Sequence, residues 1–418
     1  MSAEVTTTVN ELDLGLVRQP STVLFGPGQR RQLPAAVAAF GDRALLCTDE
    51  RMAGDGLFRD LVEALTGRGI DVEVYAKVEP DLPRENLLDV VEAHGGSTFD
   101  VIVGVGGGSV LDFAKVASQL LAHGGDVRDL YGENIVERAG IPIITVPTTG
   151  GTGAEVTCIS VVYDADRGMK IGVASPYLEP AMAIVDPELT LTCPPGLTAA
   201  TGADALTHLV EAFTGRAKNP GAEQIEAHLY VGKNLLTDLY CRHGLTMVNT
   251  AFARVVADPG DLRARTDKMM AAFCAGMAIN TAGTAGAHAI QSPIGALTHT
   301  AHGLGVGALL PYVMRYNLPT RLEEFAEIGR VLGVTAQGES VEARAQAGIR
   351  RVEELLETIG CPLNLKALGL EPDGFEYVAD QALLATRLTA NNPRELDKDA
   401  VLSILEHGYH DDRSWWQA

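Results

Sequence analysis

Phe99-Asp100-Val101-Ile102-Val103-Gly104-Val105 runs directly into Gly106-Gly107-Gly108-Ser109 and then into a helical run, Val110 to His123. This stretch decides the fold class. An apolar run without polar alternation is a strand buried on both faces, as strands of parallel sheets are. Strand, glycine turn and helix in that order bring bare backbone N–H groups and a helix N-terminus to one point, which suits phosphate. Glycine suits the turn because a Cβ would block close approach. A tight turn with no ligand is the competing reading, since the run is not a Gly-x-Gly-x-x-Gly fingerprint.

Working outward, the same alternation repeats. Upstream, the sequence predicts a strand over 21–25 and helix 32–40. Strand 43–48, helix 57–67, strand 70–76 and helix 84–95 follow. Downstream come strand 141–146, a hairpin over 158–175 and strand 183–185. Alternating β and α elements mean an α/β domain with a parallel sheet. Strand 141–146 ends in a second loop, Pro147-Thr148-Thr149-Gly150-Gly151-Thr152-Gly153-Ala154-Glu155-Val156-Thr157. The hydroxyls of Thr148, Thr149 and Thr152 are candidates to hold ribose and phosphate oxygens. Two such loops, each after a strand, fit ligand binding beyond the carboxyl ends of parallel strands. Asp49 closes strand 43–48. A carboxylate there accepts from ribose hydroxyls and repels a 2′-phosphate, which favours NAD over NADP; an Asp that merely opens a turn is the alternative.

Cys193-Pro194-Pro195-Gly196 marks the expected boundary between an α/β dinucleotide-binding domain (1–192) and an all-helical metal and substrate domain (193–418). Beyond it strand patterns vanish. Helices are expected over 197–213, 221–238, 243–256, 261–281, 302–315, 321–333, 340–358 and 373–385. In the first of them Asp204 and His208 stand four apart and share one face. His288 lies in a small-residue run, Cys274 to Ala289, which Pro293 and Gly295 are expected to end. His302 follows. Three imidazoles and one carboxylate suit a divalent metal of the ferrous or zinc type. An internal Asp–His hydrogen bond is the simpler use of the pair.

The totals exclude several classes. The chain has 418 residues, 46% hydrophobic and 21% charged, with a net charge of −21. That acidity argues against nucleic acid, which needs a basic surface. No run of about 18 apolar residues suggests a membrane span. Residues 1–19 read as an irregular arm or edge strand, without the pattern of a signal peptide. The six cysteines are scattered with no Cys-x-x-Cys and read as reduced thiols, so the cytoplasm is the expected compartment.

Several motifs resemble one family. Asp204-Ala-Leu-Thr-His208-x-x-Glu-Ala, Ala275-Gly276-Met277-Ala278, His288-Ala289, Pro293-Ile294-Gly295 and His302-Gly303 are similar to the iron-containing (group III) alcohol dehydrogenases. So are Gly106 through Ser109 with Asp112 and Lys115, the Thr/Gly loop 147–157, and Thr389-Ala390-Asn391-Asn392-Pro393-Arg394. The likeness spans Leu24 to Tyr409. It implies a dehydroquinate synthase-like architecture, NAD as cofactor, and Fe2+ (or Zn2+) on Asp204, His208, His288 and His302. It also implies that Gly106, Gly107, Gly108, Ser109, Asp112 and Lys170 serve the nucleotide. Ile279, Thr284 and Leu388 would line a small, mainly apolar pocket. The expected partner is a small alcohol or aldehyde, and the expected assembly a homodimer or larger homo-oligomer.

One departure stands out. The family has a second His four residues after the position of His288, and this chain has Ser292 there. A serine can relay a proton but has no pKa near 7 with which to hold one. His299 is the candidate substitute; an exposed loop His is the alternative. The expected reaction is hydride transfer between NAD(H) and an alcohol or aldehyde. Rival readings on the same fold are a hydroxyacid–oxoacid transhydrogenase or a maleylacetate reductase. A lyase and a nucleotide-binding protein without turnover are more distant rivals.

Overall fold

The computed structural model describes residues 14–335 and 338–415. Among the described residues there are nine strands: β1 (Thr22–Phe25), β2 (Arg43–Cys47), β3 (Asp71–Tyr75), β4 (Val101–Gly106), β5 (Gly132–Glu133), β6 (Ile143–Pro147), β7 (Ile159–Asp164), β8 (Met169–Ala174) and β9 (Met182–Val185). Six form one sheet in the order β1-β9-β6-β4-β2-β3, every pair parallel. β4 sits inside the sheet and is buried at every residue, as its unbroken apolar run demands. Alternate residues of the central strands feed two cores. Ala44, Leu46, Val101, Val103 and Val105 face one, and Leu45, Cys47 and Ile102 face the other. The hairpin is β7 against β8, antiparallel, with β5 added to it.

The strand order reverses around β2. The chain steps from β2 out to β3, then crosses back to β4 on the other side of β2. Ligands of doubly wound sheets bind at such a switch point, outside the carboxyl ends. Here those ends are tied together. Thr48 donates its hydroxyl to Val105 O at 2.7 Å, and Thr148 N donates to Gly106 O at 2.9 Å.

Six helices carry the site: α1 (Gly108–His123), α2 (Pro195–Thr214), α3 (Leu235–Ala257), α4 (Leu262–Ala282), α5 (Gly286–Thr298) and α6 (His302–Asn317). α2 begins with a proline in its first turn, where the missing N–H costs nothing. It is buried almost throughout and packs against α3, α4 and α6. Its Thr201, Thr207 and Thr214 return their hydroxyls to carbonyls four residues back, each at 2.8 Å. The helical core gathers Leu206, Leu209, Phe213, Leu245, Phe252 and Cys274 around it.

Some sequence expectations need correction. The helix expected over 221–238 is only a six-residue helix, Ala222–Ala227, followed by a loop; Asn234 then caps α3, accepting from Leu236 N and Thr237 N. The break expected before 243 is absent. Gly244 sits inside α3 because a Cβ there would meet Leu209 at 2.5 Å. Pro293 and Gly295 do not end a helix; both lie inside α5. Helices Thr386–Asn391 and Lys398–His410 were not expected. The expected arm falls partly on residues 1–13, outside the described residues. Its remainder lies against the helical half: Leu16 N reaches Asn234 Oδ1 at 3.1 Å, and Arg18 donates to Leu229 O at 2.8 Å. All six cysteines are free and buried. Among the described residues no helix is long and apolar enough to cross a membrane.

Candidate active site

α2 supplies Asp204 and His208 from one face, α5 supplies His288 from its first turn, and α6 supplies His302 as its first residue. Asp204 Oδ1 lies 3.6 Å from His208 Nε2, 3.9 Å from His288 Nε2 and 3.7 Å from His302 Nε2. The donors of Asp204, His288 and His302 are all within 4.8 Å of one another. The His208 ring stacks on His288, centroids 4.7 Å apart. The four side chains thus converge on Asp204, with Asp204, His288 and His302 the tightest group.

Buried polar atoms normally have partners. Here Asp204 Oδ1 and His288 Nε2 are buried with none. Two facing orphans that are both lone-pair donors fit a cation between them. Burial, followed by the neighbouring His208, pushes His288 down to about 3, and burial pushes His302 to about 3. Both imidazoles are therefore neutral at ordinary pH, the state that ligates metal. His302 is the most open of the set, its side chain 34% exposed against 9% for His288 and 7% for His208. That is the side from which a substrate would arrive.

The orientation of these rings is enforced by residues to which the sequence reading assigned no role. Glu211, one turn beyond His208, accepts from His288 Nδ1 at 2.6 Å. It also accepts from Ala285 N at 2.9 Å and Ala287 N at 2.6 Å, so it anchors the start of α5. Gln291 Oε1 accepts from His302 Nδ1 at 2.8 Å. Each contact places the ring proton on Nδ1 and leaves Nε2 free to bind a cation, as carboxylate–histidine–metal triads do. Glu211 was visible in the His208-x-x-Glu spacing. Gln291 carried no local signal. Gly303 lets α6 come close enough: a Cβ there would collide with the carbonyl of Ala200.

The two glycine loops expected to serve the nucleotide lie together. α1 starts at Gly108 with no side chain capping it, so its first N–H groups are open to an anion. The loops touch: a Cβ on Gly108 would fall 2.7 Å from Thr152, and one on Gly107 3.5 Å from Thr149. Asp49 caps the turn after β2, its Oδ1 accepting from Met52 N at 2.8 Å. Asp112 is turned to the fold, taking Lys115 Nζ at 3.2 Å and Val161 N at 3.0 Å. Lys170 pairs with Asp81 at 2.6 Å, and Asp81 N donates to Ser109 Oγ at 3.1 Å.

The halves meet closely. Gly153, in the left-handed region at φ +67°, packs on Gly276 of α4 with no room for a Cβ on either. Lys268 of α4 bridges the gap, donating to Gly150 O at 2.5 Å and Thr201 Oγ1 at 2.8 Å. Of the expected pocket residues, Ile279 closes α4, Thr284 lies in the loop before α5, and Leu388 lies on helix Thr386–Asn391. Asn391 joins two of these segments, donating to Ala282 O at 3.0 Å and Thr284 O at 3.1 Å. Ser292 is half-buried, one turn after His288 on the same face. His299 is exposed at the far end of α5, roughly 16 Å along the helix axis from His288 at 1.5 Å per residue.

The family model for iron-containing alcohol dehydrogenases matches residues 20–187, and that for the family's C-terminal domain matches 198–409. The chain belongs to the iron-containing alcohol dehydrogenase family. It is 35% identical over 391 residues to long-chain-alcohol dehydrogenase 1 of Geobacillus thermodenitrificans, covering 92% of this chain and 94% of that protein. It is 30% identical over 389 residues to the NAD-dependent methanol dehydrogenase of Bacillus methanolicus, covering 93% and 98%. The solved structure of a 1,3-propanediol oxidoreductase superposes with a TM-score of 0.88 at 31% identity, over 95% of this chain and 100% of that one. As an iron-containing alcohol dehydrogenase, the chain is an oxidoreductase of the NAD-linked iron type, with an Asp–His–His donor set at its centre.

Proposed function

We propose that this protein transfers a hydride between a primary alcohol and NAD+, reversibly, in the cleft between its two halves. The observation that carries the reading is that Asp204 Oδ1 and His288 Nε2 are buried without hydrogen-bond partners, with His302 and His208 gathered on the same carboxylate. A divalent ion on those four residues, ferrous or zinc, supplies Lewis-acid polarisation of the substrate oxygen. The chain's own part is to hold and orient. Glu211 and Gln291 keep the ring nitrogens of His288 and His302 aimed. The N-terminus of α1 and the hydroxyls of Thr148, Thr149 and Thr152 hold the dinucleotide phosphates and ribose. Asp49, whose Oδ2 has no protein partner among the described residues, accepts from the adenosine ribose. Ser292 lines the cleft, and the alcohol proton leaves by water toward the exposed rim where His299 stands.

The similarity to proteins named for long-chain alcohols and for methanol supports alcohol oxidation without choosing the chain length. Purified protein given NAD and a series of primary alcohols should produce NADH, read by absorbance. The His288→Ala protein should lose both the metal, by elemental analysis, and the activity. Full metal content with full activity in that variant would overturn the assignment.

A further inference from the structure

Beside the metal set lies a cationic cluster that the reaction above does not use. Arg387, next to Leu388, stacks its guanidinium over the Tyr230 ring at 4.2 Å. It lies against Gly283, at the turn that leads to His288. Gly283 stands five residues before His288 and next to Thr284, so Arg387 borders the segment that enters α5. Among the described residues it has no carboxylate partner.

Lys218 stands close by. It is exposed and donates to Tyr230 O at 3.3 Å. Arg216 adds a third cation, held on Asn392 O at 2.7 Å. The carboxylate facing this region, Glu133, is occupied with Leu229 N at 2.6 Å and lies 3.7 Å from His228 Nδ1. The Tyr230 hydroxyl is buried with no hydrogen-bond partner, although Tyr230 is 8% exposed. Cations that repel one another, next to an orphan donor, form a site for an anion. That they gather here in a chain of net charge −21 makes chance surface composition a poor explanation.

We propose that the substrate carries an anionic oxoacid group at the end away from its carbinol carbon, and that Arg387, with Lys218, binds it. The guanidinium fork matches the paired oxygens of a carboxylate, a sulfonate or a phosphate. The oxidation stays balanced as before: the carbinol carbon gives a hydride to NAD+, the hydroxyl gives a proton to water, and the anion is unchanged.

The inference rests on the alcohol dehydrogenase reading, and its test separates the two. With NAD, kcat/KM is compared for 1,3-propanediol, 3-hydroxypropanoate, 2-hydroxyethanesulfonate and 2-hydroxyethyl phosphate. Wild type should prefer at least one anion over the neutral diol, and the preferred one identifies the group. Arg387→Met should lower the anion-to-neutral ratio by about 10- to 100-fold, the worth of one charge-assisted contact, and Arg387→Lys by less. Inorganic sulfate binding, by calorimetry, should weaken to match in Arg387→Met and gives a readout free of turnover. A neutral-preferring wild type whose ratio and sulfate affinity ignore position 387 overturns the proposal while leaving the dehydrogenase intact. No NADH from any alcohol sinks the dehydrogenase reading instead, and the anion site then stands or falls on sulfate binding.

Discussion

Replacing Glu211 with Gln is the sharpest test of how the metal set is held. The carboxylate takes three N–H donors: His288 Nδ1 and Ala285 N on Oε2, and Ala287 N on Oε1. An amide offers one oxygen. Its better orientation keeps the pair on the Oε2 side and turns its NH2 toward Ala287 N, so two donors face each other. A buried polar group left unpaired costs about 1–3 kcal/mol. Burial pushes the Glu211 acid up to about 7, so part of the charge is already costly there, and the smaller half of that range is expected. The metal should respond more than the fold. Loss of an outer carboxylate partner of a ligating His typically lowers metal affinity by about 10- to 100-fold. Two assays separate the effects: thermal denaturation of the metal-free protein, and competition with a chelator for the ion. Wild-type affinity together with wild-type stability in Glu211→Gln would refute the orienting role.

The remaining predictions concern other parts of the cleft. Asp49→Gly should relax the preference for NAD over NADP; a wild-type kcat/KM higher with NADP would overturn the ribose assignment. Ser292→Ala should keep kcat within about tenfold, since loss of a true proton carrier costs about 10²–10⁴-fold. His299→Ala should cost more than Ser292→Ala if the imidazole at the rim takes the proton, and equal, small losses across pH 6–10 would leave water alone as the carrier. Lys268 gives a stability signature. Burial lowers it to about 7 in the fold, against about 10.4 unfolded. Between those values the unfolded chain binds the extra proton, so stability should rise with pH across that window. Lys268→Met should flatten this slope in chemical denaturation of the metal-free protein; an unchanged slope would show that the group does not titrate there.

The strands and the glycine loops were legible because their signals are local. A buried strand is an unbroken apolar run, and a phosphate-facing turn is a run of glycines after it. Asp204 and His208 were legible too, since an i,i+4 pair shares a helix face whatever surrounds it. The helix ends in the second half were less so. Gly244, Pro293 and Gly295 are breakers by propensity, yet tertiary contacts set their places. Gly244 gives Leu209 room, and Gly295 gives the Gln291 amide room, where a Cβ would come within 2.8 Å. The short helix Thr386–Asn391 is held by Asn391 on the carbonyls of Ala282 and Thr284, contacts more than a hundred residues distant in sequence.

By itself, then, the sequence determined the α/β-then-helical order, the two glycine-rich loops after strands and the chemical types of the four candidate metal donors. These depend on periodicity, turn chemistry and donor identity, all properties of neighbouring residues. Only the tertiary structure decided which ring nitrogens are left free to face one another, because Glu211 and Gln291 hold His288 and His302 at Nδ1. It alone turned Asp112 away to Lys115 and Val161. It also brought Lys268 under the Thr/Gly loop and set Arg387 over Tyr230 and against Gly283. The physical reason is that a charge's role is set by its burial and its partners, and both come from chain segments far apart in sequence.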